Sequence, residues 1–175
     1  MVVCGAETTE YDYLNGFKAK FKRPNLSLRV TKKPGSPLQV VEYAANRWGG
    51  PSGGFDQIWC VVDVDEYQDL DQAMRYASAN DVELVVSNPC FEIWLLLHHT
   101  DHRSWTRDYR AVKQLLQRFV DVPSDKGVAF DRDYSDHWGE AVERARTLAQ
   151  EGNEHRTNPA TGMWRLAIAI AGENE

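Results

Sequence analysis

The apolar run Ile58-Trp59-Cys60-Val61-Val62 stops at Asp63-Val64-Asp65, where polar sequence takes over. The run is short, β-branched and aromatic-rich, the pattern of a strand buried on both faces of a parallel sheet. Side chains two residues apart on a strand share a face, so Asp63 and Asp65 point the same way, roughly 6–7 Å apart. Like charges that close repel unless something cationic lies between them, and a divalent metal is the natural candidate. The plainer role of helix cap is better filled by Asp69. It precedes the periodic stretch Leu70-Asp71-Gln72-Ala73-Met74, with Gln72 at the capping-box position. Asp63 and Asp65 are therefore candidate metal ligands.

Three further strand-like segments flank this run: Met1–Cys4, Leu26–Val30 and Val82–Val86. Helical patterns stand between them. The first runs from about Glu10 to Lys22, with Tyr13, Leu14 and Phe17 on one face. The second starts at Ser36-Pro37 and continues to Trp48, and the third covers about 69–79. Strands alternating with single helices imply right-handed crossovers and a mostly parallel four-stranded sheet flanked by helices. Such sheets bind ligands beyond the carboxyl ends of their strands. The turn after Cys4, the Asp63/Asp65 pair and the Ser87-Asn88-Pro89 turn should share that edge. The glycine-rich stretch 49–54 is a linker, not a phosphate cradle, because no Lys-Ser/Thr pair follows and the next element is a strand. Beyond about residue 101 the strand signal ends, and helices are expected near 108–119, 135–151 and 159–171. This divides the chain into an α/β core, 1–101, and a helical C-terminal extension, 102–175, packed on it.

Charge narrows the partners only locally. A formal charge of −6 over 175 residues gives no global attraction to nucleic acid. Two basic clusters, Lys18, Lys20, Lys22 and Arg23, then Lys32 and Lys33, could still meet phosphates. Three cysteines without metal-like spacing point to a reducing, cytoplasmic setting, and no stretch is long and apolar enough for a membrane span.

The segment Ser87-Asn88-Pro89-Cys90-Phe91-Glu92 opens a nearly all-apolar helix, with Asn88 as its cap and Pro89 at its first position. Glu92 is the one charge in it, and a buried carboxylate needs a partner. It either faces the positive end of its own helix or joins Asp63 and Asp65 as a further ligand or base. His98 and His102, near the helix end, read as ordinary histidines.

The block Ser87–His98 resembles the signature of RloB-like proteins, Toprim-fold proteins encoded near bacterial restriction and phage-defence loci, often beside an ATPase gene. Asp63-Val64-Asp65-Glu66 is similar to the family's D-x-D motif, Gly35-Ser36-Pro37-Leu38 to its second-helix start, and Asn158-Pro159-Ala160-Thr161-Gly162-Met163-Trp164 to its C-terminal signature. The resemblance implies a Toprim-like fold and a Mg²⁺- or Mn²⁺-dependent nuclease acting on RNA (transfer RNA included) or DNA in anti-phage defence. Asp63 and Asp65 would hold the metal, Glu7 and Glu92 would complete the catalytic acids, and partners would be nucleic acid, an ATPase and another copy of the chain. The first motif departs from the pattern. Where the family has C-E-G-x-x-T-E-x-x-Y, this chain has Cys4-Gly5-Ala6-Glu7-Thr8-Thr9-Glu10-Tyr11-Asp12-Tyr13. Gly5 replaces the Toprim glutamate, leaving Glu7 or Glu10 to stand in. The alternative expectation is a catalytically weak regulatory or nucleic-acid-binding subunit working with the ATPase.

Overall fold

Alternate side chains on the central strands divide into two apolar layers. Val2, Cys4, Trp59, Val61 and Val85 face one way, while Met1, Val3, Ile58, Cys60, Val62, Val82 and Val86 face the other. Burial on both faces is what a parallel sheet between helices requires. The computed structural model describes residues 1–6, 8–22, 26–48, 54–64 and 67–172. Within them the chain runs β1 (Val2–Cys4), α1 (Thr9–Lys20), β2 (Val30–Lys32), α2 (Pro37–Trp48), β3 (Ile58–Asp63), α3 (Leu70–Ala79) and β4 (Val82–Asn88). It continues through α4 (Glu92–Leu97), α5 (Tyr109–Leu116), α6 (Phe130–Asp133), α7 (Trp138–Arg146), a 3-10 turn (Glu154–Arg156), β5 (Ala160–Thr161) and α8 (Met163–Ala171).

The sheet order is β2-β1-β3-β4-β5. The first four strands are parallel, as expected, and β5 adds an antiparallel fifth beyond the expected four. Only two residues long, β5 carries no periodic signal. Pairing forms it: Ser87 stands opposite Thr161, their hydroxyls 2.8 Å apart, and Gly162 N donates to Val86 O at 2.9 Å.

Strand β2 lies at Val30–Lys32 and not at the expected 26–30. The register is set by β1, with Val2 opposite Val30 and Cys4 opposite Lys32. Leu26 and Leu28 alternate because they pack, partly buried, on the core, not because they pair. Asp69 does not cap its own helix α3. Its Oδ2 accepts from Ser36 Oγ and, at 3.4 Å, from Leu38 N, and so caps α2. Asn88 is likewise the end of β4 and not the cap of α4, which begins at Glu92. The expected linker lies outside the described residues at 49–53.

Helices α2 and α3 cover one face. On the other, α1 and α4 share a core with side chains from α5 to α8, including Val112, Phe130, Val142 and Leu166. The C-terminal helices thus complete a face of the sheet. All six residues of α4 are buried, and the Arg144 guanidinium in α7 donates to Leu97 O at 2.6 Å at its C-terminal end. None of the described helices is long and apolar enough to cross a membrane.

Candidate active site

Parallel strands bring their carboxyl ends to one edge. Gly5 follows β1 there and donates its N–H to Val61 O at 2.9 Å, Asp63 ends β3 opposite Ser87, and Asn88 ends β4. Helices α1, α4 and α5 begin at the same edge. Between them lies a cavity of about 700 Å³, lined among others by Thr9, Glu10, Asp63, Cys90, Glu92 and Lys126.

Five acids line this cavity, and three of them, Glu10, Asp63 and Glu92, stand on α1, β3 and α4. Glu10 (2% exposed) and Glu92 (6% exposed) each stand in the first turn of a helix, where the macrodipole favours a carboxylate. That favour does not suffice for Glu10. Burial first, and the charge of Glu92 in addition, outweigh its own backbone N–H and the Lys126 ammonium, holding the carboxyl near pH 7 instead of the usual 4.5. The Cys90 thiol lies within reach of the charges of the other two, Glu92 and Asp63. Burial raises its pKa most, and the charges of Glu92 and Asp63 raise it further. Cys90 is therefore a wall of the cavity as well as a buried packing residue.

The remaining wall is the loop before α6. Thr9 Oγ1 reaches Glu92 Oε1 at 3.4 Å and Lys126 O at 3.3 Å, and Val128 N donates to Asp12 Oδ2 at 3.4 Å. Lys126 adopts left-handed backbone, φ +61°, and its ammonium lies 4.3 Å from the centre of the Tyr109 ring, a cation–π contact on the cavity wall. Arg107 also lines the cavity, paired at 2.8 Å with Asp108, whose carboxylate caps α5 through Ala111 N at 3.0 Å.

The site residues expected from sequence divide three ways. Asp63 and Glu92 line the cavity together. Asp65, Glu7 and Arg23 lie outside the described residues. Among the described residues no three histidines, cysteines or acids converge tightly enough to hold a metal by themselves. Lys18 and Lys20 belong to the far end of α1, Lys20 about 15 Å along the helix from Glu10, and Lys22 follows the helix end. There Lys20 meets Ser135 Oγ at 3.3 Å and Asp136 at 3.5 Å. Lys32 and Lys33 lie at the carboxyl end of β2 beside β1; the Lys32 ammonium is 4.3 Å from the Tyr11 ring centre. The cavity's own cations are Lys126 and Arg107, which sequence reasoning missed. Lys126 sits in a loop without periodicity, although the density of arginines after His102 was a readable signal. His98 is an ordinary core histidine, its Nε2 3.1 Å from Tyr13 Oη and its Nδ1 2.9 Å from Trp94 O.

Gly5 has little room for a larger residue. A Cβ there would stand 3.2 Å from Val61 O and 3.5 Å from Val40 Cγ2, so a glutamate would need β3 to give by a few tenths of an ångström. Comparison with curated proteins and with solved structures gives no match. The family model described as RloB-like protein matches residues 1–170, from β1 into the last helix, and the chain belongs to that RloB-like family.

Proposed function

We propose that the cavity is a Toprim-type, divalent-cation-dependent phosphodiester-cleaving site acting on RNA or DNA in a bacterial anti-phage defence system. The observation that carries the reading is the meeting of Asp63, Glu10 and Glu92 on one cavity beyond the carboxyl ends of a parallel sheet. Carboxylate oxygens suit Mg²⁺ or Mn²⁺. Mg²⁺ commonly takes one or two protein carboxylates and leaves its other positions to water and substrate phosphates, so a closed cage of protein ligands is not required. Asp63 would hold the ion, with Asp65 as the second ligand implied by the D-x-D motif. A bound ion would supply Lewis acidity toward the phosphate and lower the pKa of water.

The chain's own residues would do the rest. Glu10, whose carboxyl exchanges its proton near neutral pH, suits the role of general acid or base. Lys126 and Arg107 supply positive charge on the walls where phosphate oxygens would lie. Glu92, reached by Thr9, keeps the acidic side of the cavity in place.

Gly5 favours a second reading, in which the site binds nucleic acid but cleaves weakly and a partner ATPase supplies the activity. Cleavage of labelled RNA and DNA with Mg²⁺ or Mn²⁺ separates the two, comparing the chain with Asp63→Ala and Gly5→Glu. Cleavage lost in Asp63→Ala supports the enzyme. Cleavage gained only in Gly5→Glu supports a silenced site. No cleavage by any of them, with or without the ATPase, ends the nuclease reading.

A further inference from the structure

Just outside the cavity, residues 102–118 carry Arg103, Arg107, Arg110, Lys113 and Arg118 against the single acid Asp108, in a chain whose net charge is −6. Within this stretch Trp105 is 70% exposed, the most exposed large apolar side chain among the described residues. It stands beside a groove of about 370 Å³ lined by His102, Trp105, Arg107, Gln114 and Arg118 among others, with no carboxylate in the lining. Arg107 lines both this groove and the acidic cavity, so the two adjoin at this side chain.

The backbone next to Trp105 is anchored. Thr106, between Trp105 and Arg107, is buried, and the Asn158 side chain holds both of its backbone groups. Thr106 N donates to Asn158 Oδ1 at 2.8 Å, and Asn158 Nδ2 donates to Thr106 O at 2.9 Å. The same amide reaches Asn88 Oδ1 at 3.3 Å, at the strand end beside the cavity. An exposed indole next to an anchored backbone, on a groove it shares with Arg107 and Arg118, has the make-up of a stacking platform for a base whose phosphates meet arginines. A protein interface with so many cations and a lone aromatic would need an acidic partner surface. Adjacency to the proposed phosphodiester site, through Arg107, favours a nucleic acid.

We infer that the Trp105–Arg107–Arg118 groove is the track along which a single strand of nucleic acid leaves the cavity, a base stacked on Trp105 and its phosphates on Arg107 and Arg118. The inference rests on the proposed phosphodiester site and narrows its substrate to single-stranded segments, since a paired base cannot offer its face to an indole.

Fluorescence anisotropy tests it on the full chain. The probes are labelled single-stranded RNA and DNA of about 12 nucleotides, within the range of known single-strand sites, and a duplex of the same sequence, with Ca²⁺ replacing Mg²⁺ so that strands stay intact. The single strands bind more tightly than the duplex. Trp105→Ala weakens them about tenfold or more, while Trp105→Tyr retains most of the affinity. Arg118→Ala flattens the slope of log K against log salt by about 0.7, the share of one phosphate contact. Thermal melting checks that these exposed changes leave the fold intact. Equal affinity in Trp105→Ala and the parent, a preference for duplex, or no binding of any strand overturns the track. Binding that depends on Trp105 without cleavage under Mg²⁺ or Mn²⁺ removes the catalytic reading and keeps the track. Cleavage with a KM indifferent to Trp105→Ala and Arg118→Ala removes the track and keeps the catalysis.

Discussion

Thr9 Oγ1 donates to Glu92 Oε1 at 3.4 Å, joining the first turn of α1 to the first turn of α4 across the acidic cavity. The two residues are 83 positions apart in the chain. The same hydroxyl reaches Lys126 O at 3.3 Å, so one side chain positions both the acid and the cationic loop. Thr9→Val keeps the shape and removes these bonds. We expect a stability loss of about 1 kcal/mol by chemical denaturation and a fall in cleavage rate of about tenfold at unchanged KM. Loss of stability alone would make Thr9 a purely structural residue.

Two buried groups should give stability opposite pH slopes. Burial holds His98 near pKa 3, well below its ordinary 6.5. Below pH 6.5 the unfolded chain takes up a proton that folded His98 refuses, so stability falls as pH drops toward 3. Glu10 is raised to about 7 from 4.5. Between those values the folded chain holds a proton that the unfolded chain has released, so stability falls as pH rises. Each slope is at most about 1.4 kcal/mol per pH unit. In metal-free buffer, Glu10→Gln should remove the loss between pH 4.5 and 7 and leave the acid-side loss in place. Urea denaturation across pH 4 to 8 checks it. A Glu10→Gln profile parallel to the parent would contradict the buried, charge-facing carboxyl.

Lys126 occupies left-handed backbone at φ +61°, a conformation that costs a non-glycine residue about 1–2 kcal/mol. Lys126→Gly relieves that cost and removes the ammonium, at some loss of chain entropy in the loop. The melting temperature should hold or rise, while cleavage falls by about tenfold or more. A structural lysine would give the reverse pattern, with stability lost and rate retained.

Asp69 binds the start of α2 although it sits at the start of α3. Asp69→Ala and Ser36→Ala should each cost about 1 kcal/mol, the usual worth of a cap. The double variant should cost clearly less than the sum, because both remove one interaction. Full additivity in thermal denaturation would argue against the cross-helix cap.

Sequence patterns reached the layers of this fold and half of its site. The apolar run 58–62 and its acidic end fix β3 and Asp63 because a strand buried on both faces leaves little ambiguity about where it stops. The all-apolar α4 with its lone Glu92 is legible for the same reason. What sequence could not supply is pairing and contact across long separations. The slip of β2 follows from its register against β1, and β5 exists only because Thr161 meets Ser87. Glu10 stood in view at the seventh position of a motif, but its tie to Glu92 and Lys126 is a fact of packing. Asp69 fits the local rule for a cap and obeys a tertiary one instead.

The catalytic reading of the site needs a divalent cation at the end of β3, and a measurement free of activity reaches it most directly. Mn²⁺ binding, followed by the loss of the free-ion electron paramagnetic resonance signal, should show saturable uptake by the chain. Uptake should weaken at least tenfold in Asp63→Ala, and Mg²⁺ should compete it away. Uptake that is absent, or unchanged in Asp63→Ala, would contradict the account.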